Sequence, residues 1–324
     1  MSEPPGPVDR RTALVDPLAE TPVDPVPLRA AEEAPVAQGG ATRWRRWRQD
    51  ASVFVSNRLA LVSLVFMVLI VLFCFVGPLV YKTNQTSATL LSSNLAPSGQ
   101  YPLGTDPEGF DMLGRLMLGG QSTLEVGFAV AIVATLFGMV WGAIAGYVGG
   151  FVDAVMMRVV DAVLAIPFLF FIVLLAEILR PNLIVIVISI TAVSWLSTAR
   201  LVRGEVLSLR TREYVAASKS FGARHWYVIF RHLTPNVLGV VAVNATLKMA
   251  DAILAYAGMA FLGLSIPPPA TSWGDMLTNG INQYYNGYWW QLWPAAVAIV
   301  LIVLSVNLVG DGLHDMVERR LERH

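Results

Sequence analysis

The sequence predicts an all-α membrane protein with six transmembrane helices. Three observations carry that expectation. The 324-residue chain is 55% apolar and only 14% charged, with a mean hydropathy of +0.58; a soluble domain carries roughly a quarter charged residues. Apolar runs close to the ~20 residues that cross a bilayer recur along it. Lys and Arg then fall one-sidedly about those runs, as they do in chains with a fixed orientation.

Residues 1–42 are rich in Pro, Ala, Glu and Asp and have no periodic apolar face. Such a segment buries too little surface to offset ordering entropy, so a disordered cytoplasmic tail is expected. No apolar run follows Arg10 and Arg11, so it does not read as a signal peptide. Residues 43–58 form an interfacial segment: in Arg43 to Gln49, Trp44 and Trp47 suit the headgroup boundary and the arginines suit anionic lipid. A nucleic-acid patch is the alternative reading, disfavoured by the adjoining span.

Residues 59–122 hold the first span, Leu59 to Val80, and an external segment. Residues 123–313 hold five more spans: Thr123 to Tyr147, Val159 to Leu179, Leu183 to Val202, Val237 to Ala257 and Leu292 to Val309. Residues 314–324 form the C-terminus. In the second span Gly138, Gly142 and Gly146 make a small-residue ridge that lets two backbones approach. Pro167 predicts a kink within the third. The lone Cys74 reads as a small buried hydrophobe.

Sixteen Lys and Arg residues fall on one side of this arrangement, including Arg43, Arg158, Arg200, Arg203, Arg224, Arg231 and Arg319. Three fall on the other: Lys82, Arg115 and Arg180. Both termini are therefore expected in the cytoplasm. So is the most unusual stretch, Glu213 to Asn236, a basic island between the fourth and fifth spans. Tyr214, Ala217, Ser218 and Phe221 share a helical face, and Gly222 offers a stop. Trp226, Ile229, Phe230 and Leu233 repeat the spacing. Thr234 is placed to cap the next span, with Pro235 at its first position. The pattern predicts a helix-turn-helix with a small-residue tip, suited to a cleft in a soluble partner; the alternative is a basic loop resting on headgroups.

This stretch resembles the cytoplasmic coupling loop of ABC importer permeases. Ala216, Ala217 and Ser218 occupy the leading motif positions, and Gly222 and Pro235 match its glycine and proline. Ala216 replaces the motif's glutamate, and Thr234 stands where leucine is usual. Other segments are similar to the C-type permease subunit of dipeptide and oligopeptide importers. Before the second span lie Leu103, Gly104, Thr105, Asp106, Gly109, Asp111 and Arg115, with Phe110 in place of an arginine. Asp153, Arg158, Asp161 and Pro167 follow that span, and Phe261 to Gly274 precede the last. At the C-terminus, Gly310-Asp311-Gly312 is expected to end the sixth span.

The resemblance implies a type I ABC importer permease fold, with a coupling helix between spans four and five in a bacterial cell membrane. It implies four kinds of partner: a second, B-type permease, two ATPase subunits or domains, an extracytoplasmic substrate-binding protein and membrane lipid. The coupling residues it implies are Glu213, Tyr214, Ala216, Ala217, Ser218, Phe221, Gly222 and Pro235. Import of nickel or another small solute is the alternative.

Lys248 and Asp251 lie within the fifth span at i, i+3 and can neutralise each other. They read equally as a polar lining of a translocation path or as a structural pair. Arg158 and Asp161 are likewise spaced to pair at the membrane edge. Asp106, Glu108 and Asp111 read as a capped turn, with a metal site as the alternative. Tyr284, Tyr285, Tyr288, Trp289, Trp290 and Trp293 predict an outer interfacial belt, with stacking on a substrate as the second reading. No phosphate-binding glycine loop is present. The expectation is a non-catalytic subunit without cofactor, metal or nucleic acid, whose energy enters through residues 213–236. A stand-alone secondary transporter is the rival and would need a relay of ionisable groups in the spans; a membrane enzyme would need a reactive constellation.

Overall fold

The computed structural model describes residues 57–178 and 182–321, and these are helix and connecting loop apart from one isolated bridge between Thr105 and Asp111. The expectations for the tail over 1–42 and for Arg43 to Gln49 lie outside the described residues.

Helix α1 (Arg58–Val80) starts at Asn57, whose side chain accepts from the Ala60 N–H and donates to Asp315 at 3.1 Å. Only Ala60, Ser63 and Cys74 are buried along it. Leu59, Val62, Val65, Leu69 and Leu72 are exposed, as suits a helix bathed in lipid. Helix α2 (Met112–Val148) runs 37 residues and is capped by Asp111, which accepts from the Leu113 N–H at 2.9 Å. It begins well before the predicted start at Thr123, because its first third packs against Gln85, Ser272 and Trp273 of distant segments. Gly149 and Gly150, both at positive φ (71° and 58°), then turn the chain sharply.

The predicted third span, Val159 to Leu179, is not one helix. It is divided into α3 (Gly150–Leu164) and α4 (Phe168–Ile178) by Ala165, Ile166 and Pro167. Proline lacks an N–H and pushes the preceding residue out of the α region, so a break replaces the expected kink. Among the described residues, five helices are therefore long and apolar enough to cross a membrane: Arg58–Val80, Met112–Val148, Leu183–Leu209, His225–Phe261 and Trp289–Glu318.

Helix α5 (Leu183–Leu209) packs on α2 along the glycine ridge. A Cβ at Gly138 would strike Thr198 and the Trp195 carbonyl. At Gly142 it would meet the Ala199 carbonyl, and at Gly146 the Arg203 carbonyl and Val206. Residue numbers rise together along this seam, so the two helices run parallel.

After α5 come α6 (Glu213–Ser220), α7 (His225–Val228), a π-type turn (Ile229–Leu233) and α8 (Thr234–Phe261). The expected cap at Thr234 is absent: the helix is continuous from His225 to Phe261. Pro235 would clash with the carbonyl one turn earlier in a regular helix. The wide turn ahead of it, in which the Thr234 N–H reaches the Ile229 carbonyl, relieves that clash. Helix α9 (Trp273–Tyr284), which lies between the last two long helices, carries a capping box formed by Ser272 and Asp275. Helix α10 (Trp293–Leu321) passes straight through Gly310-Asp311-Gly312, where an end was expected. Gly310 serves instead as a close approach to Thr246 of α8.

The buried apolar residues form three clusters. One joins α1, α2, α8, α9 and α10 around Trp273 and Ile302. A second joins α2, α3, α4, α5 and α8 around Ile190 and Tyr256. The third joins the ends of α2 and α5 to α6, α7 and the start of α8.

Candidate functional site

Helix α6 hangs from the third cluster by Val215, which is 0% exposed and packs with a group including Tyr147, Val206, Val228 and Leu233. Glu213, Tyr214, Ala216 and Ala217 are exposed, and Ser218 is half-buried. Glu213 in the first turn favours the helix through the dipole. The Phe221 N–H bonds the Ala217 carbonyl and the Ala223 N–H that of Ser218, closing the helix over Gly222 at φ 77°. Phe221 is 91% exposed at this turn, and a Cβ at Gly222 would meet open space. The predicted tip is thus brought together as an accessible surface.

The second predicted face is split. Ile229 and Leu233 are buried, while Trp226 and Phe230 are exposed and stacked, their centroids 6.0 Å apart. The π-type turn shifts the register and separates residues that a uniform helix would align. Pro235 is exposed, and the neighbouring Asn236 amide donates to the His232 carbonyl at 2.6 Å. His225 meets Tyr147 of α2 edge-to-face.

Sequence reasoning missed what holds this element. Val215 is the one branched aliphatic residue of α6, and Ser218 and Lys219 at i+3 and i+4 give it no apolar partner to reveal it. Arg203 of α5 donates twice to Asp153 of α3, at 2.5 and 2.6 Å. Asp161 pairs with Arg200 of α5 at 2.5 Å, which corrects the expected pairing with Arg158. Arg210 donates to the Gly146 carbonyl at 3.1 Å. The only signal was the recurrence of opposite charges on two separate segments, and nothing local pairs them.

Lys248 donates to Asp251 at 3.0 Å, as the spacing predicts. The two are unequal: the Lys248 side chain is 14% exposed and that of Asp251 is 64%. Both line a cavity of about 450 Å³ with Leu164, Phe168, Ser194 and Ser197 among its walls.

The two segments expected outside the membrane are tied together. Gln291 donates to Asn94 and to the Thr105 carbonyl, and the Trp290 indole donates to the same carbonyl. Trp290 is 8% exposed, so it is a core residue and not part of the expected interfacial belt; Tyr284, Tyr285, Trp289 and Trp293 are exposed. Trp273 donates to the Leu116 carbonyl at 2.8 Å. Asp106 accepts from the Phe110 N–H and pairs with Arg115, whose guanidinium lies 4.0 Å from the Phe110 ring centroid. Phe110 therefore stacks on a cation where the family's arginine would stand. Burial pushes the Asp106 carboxyl up to about 6, against the Phe110 N–H and Arg115. These carboxylates brace and cap the turn, and among the described residues no group of three or more His, Cys, Asp and Glu is placed to hold a metal ion.

Residues 138–323 match the family described as binding-protein-dependent transport system inner membrane component. Residues 42–97 match the N-terminal TM domain of oligopeptide transport permease C. The chain is 36% identical over 277 residues to the oligopeptide transport system permease protein OppC of Bacillus subtilis (strain 168), covering 86% of this chain and 90% of that one. It is 35% identical over 280 residues to the dipeptide transport system permease protein DppC of the same strain, covering 86% and 85%. It is 39% identical over 277 residues to OppC of Escherichia coli (strain K12), covering 84% and 90%.

Proposed function

The chain belongs to the family of binding-protein-dependent transport system inner membrane components, and from that premise we propose that it is the C-type permease subunit of an ATP-driven importer of dipeptides or oligopeptides. The names of its relatives support the substrate class. The observation that carries the mechanism is the exposed tip of α6, hung by Val215 between two long helices. Glu213, Tyr214, Ala216, Ala217, Ser218, Phe221, Gly222 and Pro235 form or flank the surface that seats in a cytoplasmic ATPase. Ala216 supplies no carboxylate, so docking rests on shape, small side chains and the exposed aromatic Phe221. Closure of two ATPase units displaces α6, and α5 and α8 tilt with it. A second permease completes the path, Lys248 and Asp251 line it, and a substrate-binding protein delivers from outside.

The parallel run of α2 and α5 supports six crossings. Two parallel spans need a return between them, and α3 with α4 supplies 15 and 11 helical residues. That is about 39 Å of helix against a hydrocarbon core of about 30 Å. With both termini cytoplasmic, as the charge bias requires, α6 lies inside the cell.

The test replaces Ala217 with Arg and Ser218 with Glu together. The ATPase should no longer co-purify with the permease pair, while membrane insertion is retained. Survival of both the complex and its coupled ATP hydrolysis would overturn the assignment of the tip.

A further inference from the structure

Lys248 stands at the midpoint of the 28-residue α8, about 21 Å from either end. Charge at that depth in a membrane span is costly. A purely structural pair would be enclosed on both sides, yet both residues line the cavity and the Asp251 side chain is 64% exposed. The cavity's volume of about 450 Å³ falls within the ~300–1,000 Å³ of small-ligand sites. Its wall includes Leu164, the last residue of α3, and Phe168, the first of α4. A broken helix thus brings a carbonyl end and an N–H end to one place, the first suited to a cation and the second to an anion. Ser194 and Ser197 donate their hydroxyl protons to backbone carbonyls and keep acceptor capacity on the oxygen.

We infer that this pair reads the charged ends of a peptide in transit, Lys248 taking the terminal carboxylate and Asp251 the terminal ammonium. This deepens the peptide-permease reading and rests on it. The exchange is neutral: a zwitterion replaces the internal partner of each residue one for one. No uncompensated charge then stands in the cavity before, during or after passage. A single charge could not do this, because it would lie unpaired whenever the path was empty. A peptide capped at one end leaves one member of the pair without a partner.

The test uses the complete importer in liposomes with saturating binding protein. The probes are trialanine, its C-terminal amide and its N-acetyl form, each at a concentration shown to saturate the binding protein. Uptake is normalised to complex yield. Wild type should import the free peptide on the order of tenfold faster than either capped form. Lys248→Met should erase discrimination against the amide and keep that against the acetyl form, and Asp251→Asn should do the reverse. The doubly neutral Lys248→Met/Asp251→Asn protein leaves no lone charge and covers the case in which a single variant fails to assemble. It should lose discrimination against both capped forms, whereas wild-type ratios in it would mark a structural pair and overturn the inference. Single variants that keep both ratios overturn it as well, and so does a wild type importing all three probes equally. A wild type that imports none of them while hydrolysing ATP refutes the peptide reading itself, and this inference falls with it.

Discussion

The two ends of this molecule are built on opposite principles. At one end, Gln291, Trp290, Thr105 and Asn94 lock two distant segments together, and Trp273 bonds back into α2. At the other, α6 is held by one buried valine, and Tyr214, Phe221, Trp226, Tyr227 and Phe230, on it and on the turns that follow it, are exposed aromatics. The first end buries Trp273 and Trp290 and uses their indoles to bond one segment to another. The end with α6 leaves large apolar area uncovered, which supports the partner surface proposed above. Stability and the proposed coupling are expected at different ends, and substitutions should separate them.

The largest effect is expected at Trp273. Truncation to Ala removes a 1% exposed indole and its bond to Leu116, and should cost about 3–5 kcal/mol, read as loss of thermal stability of the purified permease pair. Next is Asp106. Its carboxyl is raised to about 6 by burial, so the folded state takes up a proton that the unfolded chain holds only near pH 4. That contribution is fully present below about pH 4 and is lost as pH rises to about 6. The rise from 3.8 to about 6 amounts to roughly 3 kcal/mol. Stability should therefore fall over that window in wild type, and Asp106→Asn should flatten the profile. If the variant keeps the wild-type pH dependence, another group is responsible.

At the cytoplasmic end, Val215→Ala should cost about 1–2 kcal/mol. Its larger consequence should be loss of substrate-stimulated ATP hydrolysis, because α6 no longer tracks the helices it hangs from. Equal losses of stability and coupling at Val215 and Trp273 would break the contrast drawn above. The smallest structural effect is expected at Phe221→Ser, within ~0.5 kcal/mol for so exposed a side chain. ATPase affinity should nevertheless fall measurably in a pull-down titration.

Much of this architecture was legible in the sequence because lipid imposes a simple rule on long apolar runs. The first, fourth and last spans follow it, and the glycine ridge falls where its spacing places it. The start of α2 was hidden because Met112 to Ser122 is stabilised by tertiary contacts with α9, which no local pattern encodes. At Pro167 the local rule was right about a disturbance and silent on its size. In the candidate site, the tip over Tyr214, Ala217 and Phe221 was readable from periodicity and from Gly222. The division of Trp226 and Phe230 from Ile229 and Leu233 was not, since one extra residue per turn leaves no compositional trace. Charge pairing followed the same boundary: Lys248 with Asp251 is local and was legible, whereas Asp161 with Arg200 joins residues 39 apart.

The glycine seam between α2 and α5 has a mechanical consequence. Helices joined through interdigitating long side chains can slide by changing rotamers. Here carbonyls of α5 press directly on Gly142 and Gly146 of α2, and backbone offers no rotamers to change. The two helices therefore move as a single girder. One end of it carries α6, and the far end of α2 bonds Trp273 and its neighbours. In the proposed orientation, a displacement of α6 is expected at that far end as a rotation of the whole lock, so the more open end would steer the more firmly closed one.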